Sequence, residues 1–180
     1  RIIKIVSNQY EVLCDSGSYT CVAMGKLRKG RSPIVGDLVE VEHFAKQSGI
    51  QRIHPRANEL RRPLIANIDQ AIIVMSCKEP DFSPSLVDRF LFQIVYHGIE
   101  PILCVTKTDL IQPKDSIHAW IQDYRDSGYQ VYTSDKAEAP EGFADRLKGK
   151  ISVLCGQSGV GKSSLLNKLN PDFQLQTQQI

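Results

Sequence analysis

A glycine-rich segment at residues 156–164 combines the residue types that hold a phosphate group in proteins. Its members, in order, are Gly156, Gln157, Ser158, Gly159, Val160, Gly161, Lys162, Ser163 and Ser164. Glycines let the backbone curl so that several amide N–H groups point at one phosphate. The pattern GxxxxGK[ST] also places a lysine to reach the β and γ phosphates and a hydroxyl to ligate Mg²⁺. We therefore predict a nucleotide-phosphate site with Mg²⁺, in which Lys162 and Ser163 are catalytic and Ser163 is the metal ligand.

A second short motif, at residues 106–109, directly follows an apolar run at 101–105. It reads Thr-Lys-Thr-Asp. The Asp109 carboxylate can accept two parallel hydrogen bonds, from the guanine ring N–H and its exocyclic amine, which adenine does not offer. Lys107 can lay its aliphatic stem along the base, and Thr106 replaces the more usual Asn, which we expect to weaken the bracing by this side chain. We predict a guanine site, with Ser134 on a later loop that covers the base with backbone amides.

The elements around these motifs alternate between strand and helix patterns. Continuous apolar runs at residues 70–76 and 101–105, with further runs at 130–133 and 150–155, predict strands. Helical patterns fall at about 83–97, 117–124 and 162–169. This alternation predicts a parallel α/β sheet, in which ligands bind beyond the carboxyl ends of the strands. The motifs would therefore meet at one edge, with the phosphate loop between a strand and a helix N-terminus.

The first part of the chain reads as β structure alone. Short runs at residues 2–6, 10–13, 19–24 and 38–43, with a fifth at 50–53, are separated by turn residues. Their number and size favour a five-stranded OB-type barrel. Residues 54–63 carry two prolines and three arginines without periodicity, and we predict a linker there. The predicted domains are residues 1–58, an OB-fold RNA-binding domain, and residues 59–180, a GTPase domain.

Charge is distributed unevenly between the two parts. Residues 1–62 hold 11 Lys/Arg against 6 Asp/Glu, a net of +5, and the remainder holds 11 against 14, a net of −3. Four basic residues cluster in one stretch that reads as a loop between strands: Lys26, Arg28, Lys29 and Arg31. OB barrels hold nucleic acid with such loops, so we predict that these four residues bind structured RNA. The alternative is a basic surface that is only solvated.

The composition of the chain indicates the cellular compartment and the kinds of metal or disulfide site that can be expected. No apolar run approaches the roughly 20 residues that a membrane span needs, and no signal peptide is recognisable. The chain has five cysteines and no CxxC pair, which makes a disulfide framework or a zinc site within it improbable. A reducing cytoplasm is therefore expected.

The order of the two motifs is unusual, because the guanine motif precedes the phosphate loop, whereas in Ras-like GTPases it follows. Both motifs can serve one site only if the chain is circularly permuted around the same sheet. Four further features accompany this order: the segment GQSGVGKSS, residues 88–91 of the first predicted helix, the pair Arg62-Pro63 and the basic, β-rich first part of the chain. In this combination the chain resembles the RsgA/YjeQ family of ribosome-associated GTPases.

The resemblance implies an OB-fold domain, a permuted GTPase domain and a zinc-binding C-terminal domain. It implies an enzyme whose GTP hydrolysis is stimulated by the small ribosomal subunit during late maturation of that subunit. We also expect the protein to be a cytoplasmic monomer. The resemblance also implies that Thr106, Lys107 and Asp109 bind guanine and that residues 156–164 hold the phosphates. The family's switch threonine, DxxG motif and Cys/His zinc cluster are expected beyond Ile180, so we expect the 180 residues to lack a full catalytic site.

Two alternatives remain at the level of sequence. One is a P-loop kinase that transfers the γ phosphate to a small molecule, although such kinases lack a TKxD motif. The other is a nucleotide-gated RNA-binding module in which hydrolysis is incidental.

Overall fold

The structure is a computed structural model that describes residues 1–25, 27, 32–44 and 47–170. The chain divides into two compact units, Arg1–Ile68 and Asp69–Ile180. This division falls later in the chain than the predicted domain boundary between residues 58 and 59. The predicted RNA-binding residues Lys26, Arg28, Lys29 and Arg31 lie outside the described residues.

The first unit contains a five-stranded sheet. Its strands are β1 (Ile2–Val6), β2 (Gln9–Cys14), β3 (Gly17–Ala23), β4 (Val39–His43) and β5 (Ser48–Ile53). They are ordered β1-β2-β3-β5-β4. The backbone of Ile2 exchanges hydrogen bonds with Gly36 and Asp37, just before β4, which draws the two edge strands together. Ile2, Val12 and Ile50 are fully buried in the core of this sheet, as expected for a small barrel.

The first unit extends further along the chain than the sequence predicts. Within and after the predicted linker, residues 54–63, the structure places a hairpin of β6 (Glu59–Arg61) and β7 (Leu64–Ala66). Its Leu60 and Ala66 side chains are buried. Just before the hairpin, the Arg56 guanidinium donates to both carboxylate oxygens of Asp37 at 2.6 and 2.8 Å. The segment is therefore packed and ion-paired within the unit.

The second unit is built on a four-stranded sheet, all parallel. Its strands are β8 (Gln70–Ser76), β9 (Glu100–Thr106), β10 (Gln130–Ser134) and β11 (Ser152–Cys155), in the order β10-β9-β8-β11. Every residue of β8 is buried, as expected of a central strand covered on both faces. The four predicted strands and their parallel arrangement are confirmed.

In the part of this unit that the structure describes, up to residue 170, four α-helices accompany the sheet. They are α1 (Pro84–Tyr96), α2 (Ile117–Asp126), α3 (Phe143–Leu147) and α4 (Lys162–Leu169). The sequence does not predict α3, whose five residues are too few to show a helical period, yet its Phe143 is fully buried in the core. Leu165 of α4 joins the same core cluster.

The five cysteines are all free thiols, and four of them are buried. Within the described residues, none of the helices combines the length and the apolar character that a membrane crossing requires.

Candidate functional site

The carboxyl ends of the parallel strands are aligned by register. Ser76 at the end of β8 pairs with Thr106 at the end of β9, and Thr106 pairs with Ser134 at the end of β10. On the other side of β8, β11 ends at Cys155 and the chain continues into Gly156. The two motifs predicted from the sequence therefore leave the sheet at one edge, where ligands bind in α/β folds.

The phosphate loop, residues 156–164, begins with a glycine that no other residue can replace without movement. Gly156 has φ 146°, and a Cβ placed on it would lie 2.3 Å from the Val74 carbonyl oxygen of β8. Gly161 has φ 91° and forms the N-cap of α4. These glycines let the loop turn tightly from β11 into the helix, which leaves the helix N-terminus facing the loop.

The Lys162 side chain folds back across this loop. Its Nζ donates to the carbonyl oxygen of Gly156 at 3.0 Å and to that of Gln157. Burial lowers the pKa of this ammonium from its ordinary value. Because both acceptors are uncharged, an anion in the loop would stabilise the cation more strongly than the present contacts do.

A hydrogen bond joins the base motif to the phosphate loop. The buried Thr106 hydroxyl donates to the Val160 carbonyl oxygen at 2.6 Å and lies 3.3 Å from that of Met75. The Thr106 hydroxyl thus reaches the phosphate loop directly, and the weaker bracing expected of a threonine in place of an asparagine stays a prediction. The same side chain also packs 3.6 Å from the position that a Cβ on Gly161 would take.

Lys107 and Asp109 follow in a tight turn. Lys107 adopts a left-handed conformation with φ 58°, and its Nζ donates to the Glu79 carbonyl oxygen. Asp109 lies in a 3₁₀ turn, Thr108–Leu110, and is exposed. The pKa of the Cys77 thiol is raised to about 11, first by burial and then by the negative charge of Asp109. Asp109 thus follows the last residue of β9 by three positions and is accessible to solvent.

Ser134 is buried at the start of a short loop, residues 134–138, which we call the 134–138 loop. Its hydroxyl donates to the Glu138 carbonyl oxygen at 3.0 Å. The Asp135 carboxylate accepts the Glu138 and Ala137 amides at 3.1 and 2.8 Å, and these bonds lower its pKa. The loop is thus held by its own side chains.

Sequence reasoning missed one residue that contacts this loop. Lys168 of α4 donates to Ser134 Oγ at 3.1 Å and to two carbonyl oxygens of the loop. A lysine in the last turn of a helix is common because it interacts favourably with the helix dipole. No signal in the sequence therefore distinguishes it.

The other predicted residues occupy the loop and the start of α4. Gln157 and Ser158 are exposed, whereas Gly159, Ser163 and Ser164 are half-buried and Val160 is buried. Among the residues that the structure describes, no group of three or more His, Cys, Asp or Glu side chains is placed to hold a metal ion. A single hydroxyl such as that of Ser163 is chemically suited to Mg²⁺, an ion that takes few protein ligands beside phosphate oxygens and water.

The fold and the site define a class, the P-loop nucleotide-binding proteins built on a parallel sheet. Family models narrow the class: the RsgA GTPase model matches residues 53–180 and the RsgA N-terminal domain model matches residues 1–50. Curated relatives indicate the same family. The small ribosomal subunit biogenesis GTPase RsgA of Bacillus anthracis is 44% identical over 186 residues, which cover 100% of this chain and 64% of the relative.

The protein of the same name from Streptococcus pneumoniae is 43% identical over 182 residues, covering 100% of this chain and 61% of the relative. The chain thus spans less than two thirds of the length of these relatives. It belongs to the RsgA GTPase family.

Solved structures of similar proteins indicate the same fold. YloQ, described as a circularly permuted GTPase, superposes with a TM-score of 0.76 at 41% identity, over 96% of this chain and 64% of that one. YjeQ from Thermotoga maritima superposes with a TM-score of 0.81 at 32% identity, over 98% and 66%. The predicted fold, a permuted α/β P-loop domain preceded by a small all-β OB-type barrel, is confirmed.

The Thr106–Val160 hydrogen bond can be tested by Thr106→Val, which keeps the shape of the side chain and removes its donor. The buried Val160 carbonyl would lose a partner, so we expect the second unit to lose about 1–3 kcal/mol of stability. Urea unfolding followed through Trp120, the one tryptophan of the chain, reports on this unit. Thr106→Ser should recover most of the loss, and Thr133→Val, at an exposed threonine, should change little. Equal midpoints for Thr106→Val and wild type would contradict the bracing role.

Proposed function

We propose that this protein binds and hydrolyses GTP and acts in the biogenesis of the small ribosomal subunit. The observation that carries the proposal is the direct hydrogen bond between the Thr-Lys-Thr-Asp motif and the phosphate loop, at 2.6 Å. It joins the segment that carries the candidate guanine site directly to the candidate phosphate loop, as a site for one nucleotide requires. Membership in the RsgA GTPase family, whose relatives are named as small-subunit biogenesis GTPases, supports the biological role.

We propose one role for each predicted site residue. Asp109 reads the guanine ring N–H and exocyclic amine, Lys107 lies along the base, and Thr106 braces the phosphate loop. Ser134 holds the loop that covers the base. Residues 156–164 surround the phosphates, with Lys162 on the β and γ groups and Ser163 on Mg²⁺, which would neutralise charge on the phosphate oxygens.

The partner proposals concern the whole protein. We propose that the first unit contacts ribosomal RNA, that the protein works in the cytoplasm and that it is a monomer. The assignment of residues 1–58 to RNA binding and 59–180 to the GTPase remains a prediction. The zinc domain is also a prediction, and it concerns sequence after Ile180.

The activity is tested by GTP turnover in protein that includes the expected switch segment, with and without purified small ribosomal subunits. Lys162→Ala removes the main counter-charge for the β and γ phosphates. We expect it to abolish turnover and to weaken GTP binding at least about tenfold, or about 1.4 kcal/mol. Lys148→Ala, at an exposed lysine of the same unit, is the control.

Full turnover by folded Lys162→Ala would refute the phosphate assignment. Turnover that subunits do not accelerate would favour the RNA-binding module with incidental hydrolysis.

Guanine selectivity is tested by Asp109→Asn in the chain itself. The substitution replaces one hydrogen-bond acceptor with a donor, which opposes the guanine amine and suits the 2-oxo group of xanthine. We expect the ratio of GDP to XDP affinity to fall at least about tenfold, because hydrogen bonds to a charged group contribute about 1.5–3 kcal/mol. Asp123→Asn, at an exposed aspartate of α2, should leave the ratio unchanged. An unchanged ratio in Asp109→Asn would remove the base-reading assignment.

RNA binding is tested by changing Lys26, Arg28, Lys29 and Arg31 together to alanine. Each lost phosphate contact should reduce the slope of log affinity against log salt by about 0.7–0.9. We expect weaker binding to small subunits and a flatter salt dependence, with GDP affinity unchanged. Alanine at Lys148 and Lys150, two exposed lysines of the second unit, controls for general charge loss. Wild-type affinity and slope in the quadruple variant would show that these four residues are only solvated.

A further inference from the structure

Lys168 uses its ammonium group entirely on one loop. An ammonium has three hydrogens to donate, and the structure gives Lys168 Nζ three acceptors. They are Ser134 Oγ at 3.1 Å, the Glu138 carbonyl oxygen at 3.3 Å and the Asp135 carbonyl oxygen. All three belong to the 134–138 loop, so the side chain acts as a clamp on this loop.

The 134–138 loop turns two of its carbonyl oxygens toward the Lys168 ammonium. The Glu138 carbonyl oxygen accepts from both Lys168 and the Ser134 hydroxyl. The Asp135 carboxylate holds the Ala137 and Glu138 amides from within the loop. Removing the ammonium would leave the carbonyl oxygens of Asp135 and Glu138 converging with no positive charge between them, and the loop would open to hydrate them.

The clamp belongs to the helix that starts at the phosphate loop. Lys162 and Lys168 both lie on α4, which has eight residues and is therefore roughly 12 Å long. Leu165, between them, is buried in the core cluster, against which Tyr132 of β10 also packs. The helix is thus fixed to the sheet, and its two ends touch the phosphate loop and the 134–138 loop.

We propose that Lys168 is a positioning residue for base selection, holding the 134–138 loop so that a backbone amide other than those bonded to the Asp135 carboxylate meets the 6-oxo group of guanine. This role rests on the proposed guanine site, and it assigns the part of the base that Asp109 does not read. Asp109 faces the ring N–H and the 2-amino group. We assign the 6 position of the base to hydrogen-bond donors on the covering loop. A backbone amide N–H can donate to a 6-oxo group but cannot accept from a 6-amino group, so it disfavours bases that carry an amine there.

Three nucleoside diphosphates distinguish the contact at the 2 position of the base from the contact at the 6 position. GDP has a 6-oxo and a 2-amino group, IDP lacks the 2-amino group, and 2,6-diaminopurine riboside diphosphate replaces the 6-oxo group by an amine. Asp109 governs the ratio of GDP to IDP affinity. Diaminopurine also lacks the ring N–H that Asp109 faces, so the GDP-to-diaminopurine ratio of the wild type reflects both Asp109 and the loop. A substitution of Lys168 leaves Asp109 in place, so the change that it causes in this ratio reports on the clamped loop.

The experiment measures the affinities of all three diphosphates for the full chain, as wild type and as Lys168→Met, which keeps the length of the side chain and removes its charge. We expect the GDP-to-diaminopurine ratio to fall about threefold to tenfold, the range for one lost hydrogen bond, while the GDP-to-IDP ratio stays. Lys168→Arg, which can donate to the same carbonyl oxygens, should restore much of the selectivity. Lys148→Met is the charge-matched control and should behave as wild type.

The measurements distinguish a failure of the positioning role from a failure of the proposed function. Equal weakening of all three ligands by Lys168→Met, or no change in the 6-position ratio, overturns the positioning role while the guanine site stands. Wild type that does not prefer GDP to either analogue overturns the proposed function together with the inference. Urea unfolding through Trp120 verifies that each variant is folded, and Lys168→Gln, which keeps polar donors, replaces Lys168→Met in the same comparison if the latter does not fold.

Discussion

One buried hydrogen bond, from the Thr106 hydroxyl to the Val160 carbonyl, joins two motifs that lie 54 residues apart in the chain. It depends on strand register. β9 pairs with β8 along seven residues, and β11 pairs with the other edge of β8, all in parallel. A slip of one residue in β9 would turn Thr106 to the opposite face of the sheet and break the contact. The fully buried β8 makes such a slip costly, because each of its neighbours would lose matched apolar contacts.

The same constraint explains why the order of the motifs along the chain does not matter. The phosphate loop follows the last strand, yet that strand pairs with β8, the first of the sheet. Loops that leave parallel strands at their carboxyl ends meet wherever the strands are adjacent. A permuted chain therefore needs only a different set of surface connections, which proteins tolerate well. The spatial neighbourhood of Thr106 and Val160 is a property of the sheet.

The sequence predicted much of this arrangement, and its errors have physical causes. Long apolar runs such as residues 70–76 and the GxxxxGK[ST] pattern carry strong local signals, so the sheet and the phosphate loop were predictable. The hairpin of β6 and β7 was not, since each strand has three residues beside prolines and shows no period. Its place is decided by tertiary contacts, including the buried Arg56–Asp37 pair. The bracing by Thr106 and the clamp by Lys168 also depend on partners that are 30 or more residues away in sequence.

The two lysines of α4 show how one helix serves two purposes. At its N-terminus the helix dipole is positive, and Lys162 adds a cation whose acceptors are uncharged carbonyl oxygens, which favours an anion there. At its C-terminal end the dipole is negative, and Lys168 is stabilised both by that dipole and by the carbonyl oxygens of the 134–138 loop. The helix dipole therefore favours the Lys168 cation and disfavours the Lys162 cation, and at the N-terminus the dipole and Lys162 together attract an anion. Leu165 anchors the helix to the core between the two lysines, so one fixed helix contacts both the phosphate loop and the loop that we propose covers the base.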